Sequence, residues 1–198
     1  MIEIIDLKNA APYKIFQKFY NRAIQKQQKS IEAISISSFN KLTNEVESRF
    51  VNLKYIIKED WIFFTNYNSR KGNDFKTHSQ ISCLFYWDSI NVQIRIKGNL
   101  KKTNPKISDE HFRTRSREKN ALAISSCQSK LISSYDEVIL NYEKVLKNKN
   151  KLKRPTDWGG YYFRPYYFEF WEGNNARVNK RVVFENKKNK WQEYFLQP

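Results

Sequence analysis

Residues 48–72 read SRFVNLKYIIKEDWIFFTNYNSRKG, and their pattern decides the fold. Val51, Leu53, Tyr55 and Ile57 alternate with Asn52, Lys54 and Lys58, the period of a strand with one buried face. Lys58-Glu59-Asp60 is a turn, and Trp61-Ile62-Phe63-Phe64 is an aromatic, β-favouring run that returns beside the first strand. Ser69-Arg70-Lys71-Gly72 then opens a helix, with Ser69 as its N-cap. Free N–H groups at a helix start, beside an Arg and a Lys, suit an anion, and a phosphate is the obvious guest. A basic pair after a strand is also a common solvated loop, so the flanking chain must decide between the two.

On the N-terminal side, residues 1–11 read as a short tail. Pro12 opens a helix to about Gln28, with Ile15, Phe16, Phe19, Tyr20, Ala23 and Ile24 at helical spacing. Residues 31–39 form a strand and 40–44 a turn. On the C-terminal side, QISCLFYW (80–87) is a buried strand. Residues 91–102 alternate Val92, Ile94 and Ile96 against Gln93, Arg95 and Lys97. Two short helices follow at 108–115 and 117–123, a connector at 127–130, a longer helix at 134–147 and a basic loop at 147–153. Trp158-Gly159-Gly160-Tyr161 reads as a turn, and strands at 166–171, 177–184 and 191–196 close the chain. Some six to eight short strands, mostly in hairpins, with helices gathered between the fifth and sixth, predict an α+β fold: an antiparallel barrel with peripheral helices.

The 198 residues fit one domain with a real core. Hydrophobic residues make up 40% and aromatics 16%, which excludes a disordered chain. No stretch approaches the roughly 18 apolar residues of a membrane span, and the N-terminus lacks a signal-peptide pattern. The expectation is a soluble, cytoplasmic protein with no membrane partner. The net charge of +16 raises nucleic acid as a partner. The Lys residues are, however, spread through loops and often sit beside Asn, so solvated charge explains most of them. A few can steer an anionic ligand. Cys83 lies in an apolar strand as a small core residue, and Cys127 has no partner in a disulfide framework. His78 and His111 have no metal-ligand spacing, so no metal is expected. There is no GxSxG, P-loop or GxGxxG pattern, so any chemistry belongs to a cofactor.

The ordered segments SRFVNLK (48–54), FFTNYNSRKG (63–72), LFYW (84–87), VQIRIKG (92–98), HFRTRSREKNALAISSCQS (111–129), RPTDWGGY (154–161) and FEFWEGNNARVNKR (168–181) resemble the pyridoxamine 5'-phosphate oxidase family. The resemblance runs from about Pro12 to the end, and the combination of SRKG, WGG and EFW is specific. It implies a split β-barrel homodimer with FMN across the interface. Matched position by position, the flavin contacts are the Arg49–Lys54 strand, Phe64, Thr65, Arg70, Lys71 and Gln93, then Gln128 and Ser129 from the partner subunit, then Trp171 and Arg181. Arg70 and Lys71 suit the FMN phosphate, and the Gln93 amide can both donate and accept at a flavin edge.

The family holds its substrate phosphate with a Lys, a Tyr, an Arg and a Ser. The matching positions here are Lys54, His111, Arg115 and Lys119. Its Arg-Leu-His segment at the flavin face reads Arg177-Val178-Asn179, which the resemblance marks as the catalytic positions and as substrate contacts. On a strand, Arg177, Asn179 and Arg181 would share one face. Asn hydrogen-bonds but cannot titrate. The family's N-terminal segment over the substrate is expected to be shortened, and its Arg near the C-terminus is Phe195. Three functions are compatible with the sequence. One is a pyridoxamine 5'-phosphate oxidase of vitamin B6 synthesis, making peroxide from dioxygen. Another is an FMN-dependent relative with a different substrate, as in phenazine biosynthesis. The last is a non-catalytic flavin- or nucleic-acid-binding protein.

Overall fold

A computed structural model describes residues 1–148, 150 and 152–198; Lys149 and Lys151 of the expected basic loop lie outside the described residues. The quoted stretch forms the hairpin of β3 (Glu45–Ile57) and β4 (Asp60–Asn66). Around it lie β2 (Ala33–Asn40), β5 (Gln80–Trp87), β6 (Val92–Lys102) and β7 (Trp158–Glu172). The antiparallel pairs β3–β2, β2–β5, β5–β6, β6–β7, β7–β4 and β4–β3 return to their start, so six strands close into a barrel. Closure removes the edges that an open sheet would expose. β8 (Lys180–Lys187) and β9 (Lys190–Leu196) continue outward from β7.

The barrel is filled by aromatics. Helix α1 (Ala11–Gln25), opened by Pro12, buries Tyr13, Phe16, Phe19, Tyr20 and Ala23 against the sheet. The Phe16 ring lies 4.5 Å from that of Trp61, 5.7 Å from Trp87 and 5.8 Å from Phe85. Each such side chain contributes about 1.5–3 kcal/mol by leaving water. Helices α3 (Pro105–Thr114), α4 (Arg117–Ser125) and α5 (Tyr135–Lys147) connect β6 to β7. Helix α2 (Arg70–Thr77) connects β4 to β5. No helix among the described residues is long and apolar enough to cross a membrane.

Four sequence expectations need correction. Residues 1–11 are not merely a tail: β1 (Glu3–Ile5) pairs in parallel with β3 through Glu3–Tyr55 and Ile5–Ile57. Three residues are too few to show a period, and it is the buried Ile2, whose N–H donates to Tyr20 Oη at 2.7 Å, that fixes them. The Trp158–Tyr161 segment is the start of β7 and not a turn. Its glycines serve close packing, since a Cβ on Gly160 would meet the Thr103 side chain. The alternation in β3 also breaks: the register with β4 shifts between Leu53 and Tyr55, so Leu53 and Ile56 are buried and Tyr55 turns outward. Finally, Arg177 and Asn179 precede β8 and lie in the loop 173–179, where Arg177 adopts φ 59°. They do not share a strand face with Arg181.

Candidate functional site

The N-terminus of α2 is built as its sequence dictates. Ser69 Oγ accepts from Gly72 N at 3.3 Å and donates to the Asn66 carbonyl at 2.7 Å. This tight closure leaves no room for a Cβ at Gly72 beside the Tyr67 carbonyl. The helix start turns Lys71 inward and Arg70 outward. Lys71 is only 8% exposed, and its Nζ donates to Thr65 Oγ1 at 3.2 Å. Burial, and then the neighbouring Arg49, push its pKa down. Arg70 is largely exposed and pairs with Glu47 and, at 3.4 Å, with Glu45. Arg49 is held by Ser38 Oγ at 2.6 Å, Glu47 at 3.1 Å and the buried Asp74 at 3.3 Å. The expected two-residue clamp is therefore uneven: Lys71 faces a cavity and Arg70 does not.

That cavity, of about 270 Å³, is lined by Phe50, Val51, Asn52, Lys54, Phe64, Thr65, Lys71, His111, Arg115, Lys119, Gln128 and Trp158. It thus gathers eight of the expected site residues from β3, β4, α2, α3, α4 and the segment after α4. Lys54, Lys71, Arg115 and Lys119 supply four cations, and no carboxylate lines the wall among the described residues. Arg115 lies with its guanidinium 4.5 Å from the Trp158 ring and donates from Nη2 to the Lys119 carbonyl at 2.9 Å. Its buried Nη1 has no partner among the described residues. Such a nitrogen and a buried ammonium with no carboxylate partner among the described residues each fit an anionic ligand.

Supporting contacts fix the wall. Asn104 caps α3 through Lys106 N, with Pro105 in its first turn, and Ser116 caps α4. Ser108 Oγ accepts from Gly160 N at 3.0 Å, which ties α3 to β7. Asn120 Nδ2 donates to the Phe112 carbonyl at 2.8 Å, which ties α4 to α3. His111 stacks on Phe64, with ring centres 3.8 Å apart. Tyr55 and Trp158 also belong to this site and were absent from the expected residues. The strand break at Lys54 hid Tyr55, and the turn-like glycines hid Trp158.

Gln128 belongs to the cavity of its own chain, where Thr65 Oγ1 donates to its Oε1 at 3.2 Å. Ser129 does not line this cavity. Gln93, Trp171 and Arg181 form a separate group. They are register neighbours across β6, β7 and β8, so their side chains share one face. Buried Glu169 anchors that face, accepting from Arg181 Nη2 at 2.6 Å, Arg95 Nη1 at 3.2 Å and Tyr167 Oη at 2.9 Å. Arg177 and Asn179 lie in the loop before β8, where Asn179 Oδ1 accepts from Asn174 N at 3.0 Å. None of this second group lines the cationic cavity.

Residues 22–149 match the model of the family described as pyridoxamine 5'-phosphate oxidase. The chain belongs to the pyridoxamine 5'-phosphate oxidase family. Its fold is that of these flavin-binding oxidases. Within the family, residues 158–198 match the pyridoxine 5'-phosphate oxidase C-terminal dimerisation region. A pyridoxine/pyridoxamine 5'-phosphate oxidase of Leptospira interrogans is 33% identical over 190 residues, covering 94% of this chain and 88% of that one. Among solved structures, PhzG of Burkholderia lata 383, in complex with tetrahydrophenazine-1-carboxylic acid, superposes with a TM-score of 0.90 at 24% identity, covering 94% and 92% of the two chains. A pyridoxamine 5'-phosphate oxidase-related, FMN-binding protein of Nostoc punctiforme gives 0.76 at 10% identity, covering 96% and 99%.

Proposed function

We propose that the chain is a cytoplasmic, FMN-dependent oxidase of pyridoxamine or pyridoxine 5'-phosphate, yielding pyridoxal 5'-phosphate and peroxide in pyridoxine biosynthesis. The observation that carries this reading is the cationic cavity with no carboxylate among its described lining residues, in which Arg115 keeps a buried nitrogen without a partner and buried Lys71 meets a hydroxyl. All 198 residues act as one FMN-binding unit. Lys71, Thr65, Gln128 and the Arg49–Lys54 strand would hold FMN from one chain, and Gln93, Trp171 and Arg181 from its partner in a two-fold homodimer. Bound FMN would supply the hydride acceptor, regenerated by dioxygen. Lys54, His111, Arg115 and Lys119 bind the substrate phosphate. Arg177 orients the ring by its charge, and Asn179 offers a hydrogen bond without a titrating proton. Phe50, three-quarters exposed at the cavity rim, suits burial in the interface.

Asn179 also favours a second reading, a family member acting on another substrate, because the position where the family has a histidine cannot exchange a proton. Both readings are tested on purified protein, reconstituted with FMN. The expected results are flavin absorbance, a dimer mass by light scattering, and bleaching by pyridoxamine 5'-phosphate without oxygen. Flavin that stays oxidised with both phosphorylated vitamers would select the second reading. A monomer with FMN fully bound would refute the shared site.

A further inference from the structure

We propose that Tyr55 and His111 act as a pair that presents a neutral N–H donor, His111 Nε2–H, to the phosphate ester of the substrate, with Tyr55 as the positioning residue. The inference rests on the reading of the cavity as a phosphate-ester site. It concerns the one wall residue that could otherwise switch charge.

The geometry holds the imidazole in a single pose. Phe64 stacks on it at 3.8 Å with planes 12° apart, and the Trp158 ring beyond is parallel within 5°. The Tyr55 hydroxyl lies 2.8 Å from His111 Nδ1. Nε2 has no hydrogen-bond partner among the described residues, and the ring lines the cavity. The charged neighbours are cations: Arg115 after α3, Lys54 on β3 and Lys119 on α4, with Lys71 elsewhere in the same wall. Glu3 on β1 and Glu110 on α3 act on the Tyr55 side. Burial, and then Arg115, Lys54 and Lys119, push the His111 pKa down to about 4. The ring is therefore neutral at physiological pH and carries one proton on one of two nitrogens.

Tyr55 decides which nitrogen. Burial raises its phenol pKa, so the hydroxyl keeps its proton and can donate it into the Nδ1 lone pair. The ring proton then sits on Nε2, the nitrogen left for a ligand. A tyrosine, which the family resemblance has at this position, would offer one uncharged O–H. His111 with Tyr55 offers one uncharged N–H. The four fixed cations supply the charge, and the pair supplies direction.

The test uses the full chain with nitrogen-15 in its two histidines, His78 and His111, assigned through His78→Gln. The expected spectrum shows His111 as the Nε2-protonated tautomer from about pH 5.5 to 8 without titrating, and mixed tautomers in Tyr55→Phe. Titration with inorganic phosphate and with pyridoxamine 5'-phosphate should weaken about tenfold in His111→Phe and about threefold or more in Tyr55→Phe. The double variant should be no weaker than His111→Phe, because Tyr55 acts only through the ring. A wild-type ring protonated on Nδ1, or one titrating above pH 6, overturns the pair. Unchanged phosphate affinity in a folded His111→Phe also overturns it, while leaving the phosphate site standing. Failure of the wild type to bind either probe overturns both the pair and the functional reading.

Discussion

Lys71→Ala is expected to weaken FMN binding by roughly 30- to 4000-fold, the equivalent of about 2–5 kcal/mol for removing one side of a buried charged contact. Lys71 is buried, and its one hydrogen-bonding side-chain partner among the described residues is the Thr65 hydroxyl, at 3.2 Å. Burial, and then the neighbouring Arg49, depress its pKa, which records the strain of a poorly solvated ammonium. A phosphate relieves that strain, so the affinity depends steeply on this residue. The same physics sets the opposite sign for the ligand-free protein. Lys71→Met should leave the apo form at least as stable as wild type, since it replaces an uncompensated buried cation with an apolar chain of similar length. Arg70→Ala should have the smaller effect on FMN, because Arg70 is already engaged by Glu45 and Glu47 outside the cavity. Titration of apo protein by quenching of FMN fluorescence measures Lys71→Ala and Arg70→Ala, and urea unfolding of the apo protein measures Lys71→Met. A dissociation constant in Lys71→Ala within about threefold of wild type would sink the assignment.

Asn179→His should raise kcat for pyridoxamine 5'-phosphate by roughly 100-fold or more, with little change in KM. Asn179 Oδ1 already accepts from Asn174 N, which folds the loop before β8. A histidine Nδ1 can accept the same N–H, leaving Nε2 free to exchange a proton. Arg177, two residues earlier in the same loop, adopts φ 59°, a left-handed backbone uncommon for a non-glycine residue. Oxygen consumption by wild type and variant, with both phosphorylated vitamers, gives the two constants. A variant no faster than wild type would mean that proton exchange at this position does not limit the rate.

The barrel could be read from residues 48–102 because alternation of apolar and polar side chains reports a half-buried strand directly. QISCLFYW became β5 with the same ends, and Val92, Ile94 and Ile96 are all buried. Ser69 was legible as a cap because its chemistry is local. What failed was whatever depends on contacts distant in sequence. Gly159 and Gly160 looked like a turn, yet Thr103, Ser108 and Tyr67 press on them from other elements. The irregularity after Leu53 left no mark in the sequence, so Tyr55 was counted with the inward face. Arg177 and Asn179 were placed on β8 because no breaker separates them from it after the Gly173-Asn174-Asn175 turn signal. In the site, residue types were legible from family resemblance, but the contact of Gln128 with Thr65 and the outward turn of Arg70 required coordinates.

The length of β7 has a genetic consequence. The strand carries Trp158 in the cationic cavity at its start and Trp171 in the Arg181 group near its end. At about 3.3 Å per residue these positions lie roughly 40 Å apart along the strand, farther than one mononucleotide reaches. If FMN needs both groups, each site is inherited from two chains. Two alleles inactive for different reasons, one Lys71→Ala and the other Arg181→Ala, would then complement each other. A mixed dimer would concentrate both lesions in one site and leave the other intact. About a quarter of the wild-type sites should return on refolding the two chains in equal amounts, since half of the dimers are mixed. Recovery of no activity would show that each chain serves its own flavin.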